Sequence, residues 1–124
     1  MEDLLMTGTA KTPEVEFRAD GRLLLKGCSI PENAPEFYSP LLSWLEDYGR
    51  VARPVTELTV QLSYFNSSSS KALLQLIEQL SEIQTADHRV QVLWLYEEGD
   101  DDNREAGEDY RDVTKVPFTI EAYK

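Results

Sequence analysis

The chain has 124 residues, 41% of them hydrophobic, a size and composition that suit one compact domain spanning residues 1–124. It carries 12 lysines and arginines against 23 aspartates and glutamates, so the formal net charge is -11 and the long-range field repels nucleic acids and anionic membrane surfaces. No apolar stretch reaches the roughly 18 to 20 residues that a membrane-spanning helix needs. The lone Cys28 excludes an internal disulfide, and with no export signal visible the expected compartment is the cytoplasm.

The first part of the chain predicts three strands followed by a helix. A short apolar edge comes first, and apolar residues then alternate with charged ones as in a half-buried strand. Asp20-Gly21 is a typical hairpin turn, and the leucine run after it predicts a well-buried strand. Apolar residues at helical spacing then predict a long helix that ends near Gly49. These elements cover Leu4–Met6, Val15–Phe17, Arg22–Cys28 and the helical repeat from Phe37 to Tyr48.

The second part predicts three more strands and a second long helix. The clearest strand alternates strictly with period two, and the helix after it has a stripe of leucines and isoleucines that would lie on a sheet. The next strand is partly apolar on both faces, so a central position in the sheet is expected. The acidic segment Glu97–Asp109 is predicted to be a loop with a short, weak helix. The strands cover Thr56–Phe65, His88–Tyr96 and Phe118–Tyr123, and the helical stripe runs from Leu73 to Ile83.

This order of elements predicts an α/β fold. Strand-helix-strand units favour right-handed crossovers between parallel neighbours, and the N-terminal hairpin adds antiparallel pairing. The expected architecture is a single-domain mixed β-sheet packed with helices, with Trp44 and Trp94 in the core. Tyr38, Tyr48 and Tyr110 are expected to be partly buried, with a place on a partner surface as the alternative.

The motif YFNSSSSK, Tyr64 to Lys71, joins the clearest strand to the second helix. Asn66 or Ser67 can cap that helix, because the first backbone N–H groups of a helix lack intrahelical acceptors. Four consecutive serines exceed what a cap requires. A phosphate there would add a charge of about -1.5 to -2, and a helix N-terminus stabilises a nearby anion by roughly 0.3 to 1 kcal/mol. The motif therefore fits either a simple cap or a phosphorylation site.

The carboxylates between Glu97 and Asp109 suggest a second hypothesis, a small metal-dependent enzyme. The calcium-loop pattern fails, because counting from Asp100 places Glu105 where glycine is needed and Arg111 where glutamate is needed. A solvated acidic loop explains the segment more simply.

Nucleophilic catalysis has little support in the sequence. His88 is the only histidine, so a hydrolase triad would require Ser67–Ser70 to meet it in the fold. Cys28 lies in an apolar strand with no second histidine or basic cluster to activate it, and a core position is expected for it. No glycine loop for nucleotide phosphates is present.

Four blocks of the chain resemble one known family. The blocks are GTAKTPEVEF, SIPENAPEFYSPLLSWLEDY, YFNSSSSK and WLYEEGDDDNREAGEDY, and they follow the order found in the SiaC family of bacterial regulatory phosphoproteins. The resemblance implies a fold akin to the STAS domains of anti-sigma-factor antagonists. It also implies that a Ser/Thr protein kinase modifies the protein, that a PP2C-type phosphatase reverses this, and that the unmodified form binds and activates a diguanylate cyclase, with cyclic-di-GMP and biofilm behaviour as the output.

The family pattern also assigns residues. Its acceptor follows the asparagine directly and is commonly threonine, so it corresponds to Ser67, with Ser68 as second choice. The expected partner surface is Asn66, Ser68, Ser69, Ser70 and Lys71. No catalytic residue, metal or cofactor is expected. Two alternatives remain: the same switch with a different client, such as an anti-sigma factor or a sensor kinase, and a structural subunit in which the serines only cap a helix.

Overall fold

A computed structural model describes all residues from 1 to 124 and contains six strands and three helices. Strands β1 to β6 are Leu4–Met6, Glu14–Phe17, Arg22–Ser29, Val55–Phe65, Arg89–Glu97 and Phe118–Tyr123. Helices α1 to α3 are Ala34–Gly49, Ser67–Ile83 and Asp101–Val113. None of the helices combines the length and the apolar character needed to span a bilayer.

The strands form one mixed sheet whose spatial order is the order of the sequence, β1-β2-β3-β4-β5-β6. The pairs β1-β2 and β2-β3 are antiparallel, and β3 to β6 are all parallel to one another. The predicted α/β architecture with a mixed sheet is therefore confirmed. β5 lies between β4 and β6, as the apolar character of both its faces predicted.

The three helices cover one face of the sheet. Alternate strand residues are buried, and they form a single apolar core with the inner sides of the helices. α2 contributes four fully buried aliphatic side chains, each of which stabilises the fold by about 1.5 to 3 kcal/mol. They are Leu73, Leu76, Ile77 and Leu80. The prediction that Trp44 and Trp94 lie in the core is confirmed, since they are 9% and 1% exposed.

The predicted loop with a weak helix at Glu97–Asp109 is wrong, because α3 is a regular helix of 13 residues. Its inner face consists of polar and small residues that fit around Trp94. The indole Nε1 of Trp94 donates to Asn103 Oδ1 at 2.9 Å, and Asn103 Nδ2 donates to the carbonyl oxygen of Leu62 at 2.7 Å. Gly107 lets the helix backbone approach the indole closely.

Two smaller expectations also change. Cys28 is half-buried beside a β-bulge of β3 and does not belong to the core. Tyr38 and Tyr48 are 0% exposed and Tyr110 is 7% exposed, so all three are buried more deeply than expected and do not form a surface.

The parallel strands determine where the helices begin. The carboxyl ends of β3, β4 and β5 share one edge of the sheet, and each helix starts there behind its own cap. Asn33, Asn66 and Asp100 accept hydrogen bonds from backbone N–H groups in the first turns of α1, α2 and α3. In open α/β sheets, ligands bind at this edge.

Candidate functional site

The serine motif lies at this edge, where β4 ends and α2 begins. Asn66 is extended, with φ -86° and ψ 176°, and its Oδ1 accepts from the backbone N–H of Ser69 at 2.9 Å. Its carbonyl oxygen accepts from the N–H of Ser70 at 2.9 Å, which is the first turn of the helix. Asn66 is therefore the N-cap, and the alternative of Ser67 as the cap is wrong.

Ser67 and Ser68 are the first two residues of α2, and both are exposed. Their backbone N–H groups have no acceptor within the chain, so the positive end of the helix faces solvent here. Lys71 is exposed one turn further along and makes no ion pair. A phosphoryl group on either serine would lie in a favourable electrostatic position.

Ser69 does not belong to the predicted partner surface, because it is 0% exposed. The Ser69 hydroxyl donates to the carbonyl oxygen of Ser29 at 3.0 Å and accepts from the Ser29 hydroxyl at 2.8 Å. The Tyr38 hydroxyl lies 2.6 Å from Ser29 Oγ. Because the Ser29 proton is already directed to Ser69, Tyr38 must be the donor to Ser29. A chain of three hydroxyls thus joins α1, β3 and α2 inside the protein.

Ser70 is half-buried and is engaged on the other side of the helix. Its Oγ lies 2.8 Å from the Tyr110 hydroxyl, which in turn donates to the Ser70 carbonyl oxygen at 2.8 Å. The first turn of α2 is therefore held between α1 and α3. Of the predicted partner surface, Ser68 and Lys71 are exposed, whereas Asn66 and Ser70 are half-buried.

Burial perturbs both tyrosines of this arrangement. Removal from water raises the pKa of Tyr38, and its hydrogen bonds with Ser29 and Ser69 oppose that rise. Removal from water also raises the pKa of Tyr110, and the bond with Ser70 opposes it. Both phenols are therefore neutral near pH 7 and serve as hydrogen-bonding groups.

A cleft of 290 Å³ opens between the end of β4 and the start of α3. It is lined by Ser63, Tyr64, Phe65, Asp100, Asp102 and Asn103. Tyr64 is an exposed aromatic residue in this lining, with 59% of its surface accessible. The sequence pattern did not reveal this cleft or the roles of Ser29, Tyr38 and Tyr110, because their proximity to the motif arises only in the folded chain.

The enzymatic alternatives find no support in the geometry. His88 precedes β5, and its Nδ1 lies 3.3 Å from the carbonyl oxygen of Arg53, at the opposite end of the sheet from Ser67–Ser70. The carboxylates of Glu97–Asp109 are distributed around α3, and no three acidic, histidine or cysteine residues of the chain converge on a metal site.

Comparison with known proteins identifies the family to which the chain belongs. Residues 6–123 match the model of the SiaC family regulatory phosphoprotein. An uncharacterised protein of Pseudomonas aeruginosa (strain UCBPP-PA14) is 32% identical over 125 residues, which cover 99% of this chain and 98% of the relative.

Solved structures show the same fold. Apo-SiaC from Pseudomonas aeruginosa superimposes with a TM-score of 0.89 at 32% identity, covering 98% of this chain and 100% of that one. The structure of the diguanylate cyclase SiaD in complex with its activator SiaC, from the same organism, contains a chain that matches with a TM-score of 0.90 at 31% identity, again covering 98% and 100%. The present chain thus belongs to the SiaC family of regulatory phosphoproteins and is a regulatory protein, not an enzyme.

Proposed function

We propose that this chain is a phosphorylation-controlled activator of a diguanylate cyclase, with Ser67 as the phosphoacceptor. The unmodified protein binds and activates the cyclase, and the phosphorylated protein does not. The observation that carries this proposal is the pair of exposed serines with free backbone N–H groups at the start of α2, in a member of a phosphoprotein family. The relative SiaC forms a complex with the cyclase SiaD as its activator.

Ser67 is preferred over Ser68 because the resemblance places the acceptor directly after the asparagine, and Asn66 is the N-cap here. Serine in place of the common threonine keeps the hydroxyl and loses only a methyl group. A cytoplasmic Ser/Thr kinase adds the phosphoryl group, and a PP2C-type phosphatase removes it. The cyclase then determines the level of cyclic-di-GMP and, through it, biofilm behaviour.

The switch is electrostatic. In the free protein, the helix N-terminus stabilises the added charge of about -1.5 to -2 by roughly 0.3 to 1 kcal/mol, so the fold tolerates the modification. In the complex, the same charge must leave water, and desolvation without a cationic partner costs several kcal/mol. The flanking exposed residues offer only Lys71 as a cation. Phosphorylation is therefore expected to favour dissociation over unfolding.

The test uses the purified chain with the cyclase and kinase of its host. Ser67→Asp is expected to weaken cyclase binding by at least about tenfold, or about 1.4 kcal/mol, measured by titration calorimetry. Ser67→Ala is expected to bind and activate like the unmodified protein while gaining no phosphate from the kinase and ATP. Gln75→Asp adds the same charge to an exposed position of α2 further from the first turn and is expected to leave binding within about twofold, because water screens its charge.

The outcomes separate the rival functions. Phosphorylation of the motif without any cyclase binding would indicate a different client for the same switch. No phosphate on any of Ser67–Ser70, detected by mass spectrometry of the peptide, would contradict the switch and leave the serines as part of a helix cap.

A further inference from the structure

Four serines begin α2, yet the fold uses the hydroxyls of the last two. The Ser70 and Tyr110 hydroxyls lie 2.8 Å apart, and the Tyr110 hydroxyl donates its only proton to the Ser70 carbonyl oxygen. Ser70 Oγ must therefore donate its own proton to Tyr110. The Ser70 hydroxyl proton is directed toward Tyr110 of α3.

Tyr110 is well placed to hold Ser70. Its side chain is 7% exposed, and its ring packs against Trp94 with the ring centroids 5.3 Å apart. The ring cannot turn away without opening this packing, so the hydroxyl stays beside the first turn of α2. Ser69 is inaccessible to a kinase for a separate reason: it is completely buried and hydrogen-bonded to Ser29.

We propose that Tyr110 is a positioning residue that selects the phosphoacceptor, by engaging the Ser70 hydroxyl and so restricting phosphoryl transfer to Ser67 and Ser68. This inference rests on the proposed function and adds to it a residue 40 positions away from the motif, on another helix. The serine motif alone does not discriminate among its four chemically identical hydroxyls.

The chemistry of transfer explains why this contact matters. The serine oxygen forms a bond to the γ-phosphorus of ATP while the bond from that phosphorus to the bridging oxygen breaks, and ADP leaves. The hydroxyl proton passes to a base of the kinase. The Ser70 proton is already directed at Tyr110, and its oxygen can attack only after that hydrogen bond breaks. Ser67 and Ser68 have exposed side chains with no such bond.

The test removes the preferred acceptors and then releases Ser70. The Ser67→Ala/Ser68→Ala variant, incubated with the host kinase and ATP, is expected to gain almost no phosphate. Adding Tyr110→Phe to it, which removes the hydroxyl and keeps the ring against Trp94, is expected to raise phosphorylation of Ser70 by about fivefold to tenfold, the effect of releasing one hydrogen bond. Fragment-ion mass spectrometry locates the phosphate.

Tyr48→Phe in the same background is the matched control. The Tyr48 hydroxyl is also buried and lies 2.8 Å from Thr56 Oγ1, but at the opposite end of β4. The Tyr48→Phe substitution is expected to lower the melting temperature about as much as Tyr110→Phe does, without increasing the phosphate on Ser70. If Ser70 gains as much phosphate with Tyr48→Phe as with Tyr110→Phe, the increase results from a general loss of stability, and the role of Tyr110 is wrong.

Two further outcomes distinguish this inference from the proposed function. If the unsubstituted chain gains phosphate on Ser67 but the variant with Tyr110→Phe gains none on Ser70, the positioning role is wrong and the switch stands. If the unsubstituted chain gains none on any serine of the motif, both are wrong.

Discussion

Gly107 shows how the absence of one side chain sets the position of a helix. A Cβ built on Gly107 would lie 2.6 Å from Cδ1 and 2.8 Å from Nε1 of Trp94, and the indole is fixed by its bond to Asn103. Alanine is the better helix former by about 1 kcal/mol, but here it would overlap a rigid ring.

Gly107→Ala is therefore expected to destabilise the protein by about 1 to 3 kcal/mol, the usual cost of overpacking a core. Urea unfolding at pH 7, followed by circular dichroism, measures the change. Glu105→Ala places the same side chain on an exposed position of the same helix and is expected to stay within about 0.5 kcal/mol of the unsubstituted protein. A neutral or stabilising effect of Gly107→Ala would show that α3 does not pack closely on Trp94.

The buried residues of the helices explain what the sequence could and could not predict. α2 was predicted because its buried positions are leucine and isoleucine at helical spacing. α3 was missed as a regular helix because its buried positions are Asn103, Gly107 and Tyr110, which carry helical spacing but no hydropathic signal. The serine motif could be located from sequence, since caps and strand ends have local signatures. The burial of Ser69 could not be predicted from sequence, because it depends on contact with Ser29, which is 40 residues earlier in the chain.

At the scale of elements, the first turn of α2 is fixed by tyrosines from both neighbouring helices. Tyr38 of α1 reaches it through Ser29, and Tyr110 of α3 reaches it through Ser70. Three separate elements thus determine the shape of a turn whose outer side remains open to partners. The outer serines can change their charge while the inner ones keep the turn in place.

These tyrosines also make the stability of the protein depend on pH in the alkaline range. Burial raises the pKa of Tyr38 and of Tyr110 above the ordinary tyrosine value, so the unfolded chain loses these protons first as pH rises. Their contribution to stability is complete below about pH 10, the unfolded-state value, and declines as pH rises through the folded-state values.

The urea midpoint is therefore expected to fall as the pH rises above about 10, and to fall less steeply in Tyr38→Phe and in Tyr110→Phe. Tyr64→Phe removes the hydroxyl of a residue that is 59% exposed and is expected to leave the urea midpoint at pH 7 unchanged. Identical slopes in all variants would mean that other groups cause the alkaline loss.

At the scale of the molecule, the charge of -11 governs both stability and partner choice. The ion pairs of the chain are at or near the surface, where each contributes at most about 1 kcal/mol, so they offset little of the repulsion among the carboxylates. The field also favours a partner with a basic binding surface, because opposite charges steer association. Each phosphoryl group would add to the same negative field.

Self-repulsion of this kind predicts that salt stabilises the protein. Raising NaCl from 0.01 M to 0.5 M shortens the screening length from about 30 Å to about 4 Å, which removes repulsion across the molecule. The exposed ion pairs are screened as well, but each contributes at most about 1 kcal/mol. The melting temperature at pH 7 is expected to rise by about 3 to 6 °C, which corresponds to roughly 1 kcal/mol for a domain of this size. A variant with Glu78→Gln and Glu82→Gln, both exposed on α2, is expected to melt higher at low salt and to gain less from added salt. A melting temperature that falls with salt would mean that the surface ion pairs outweigh the net charge.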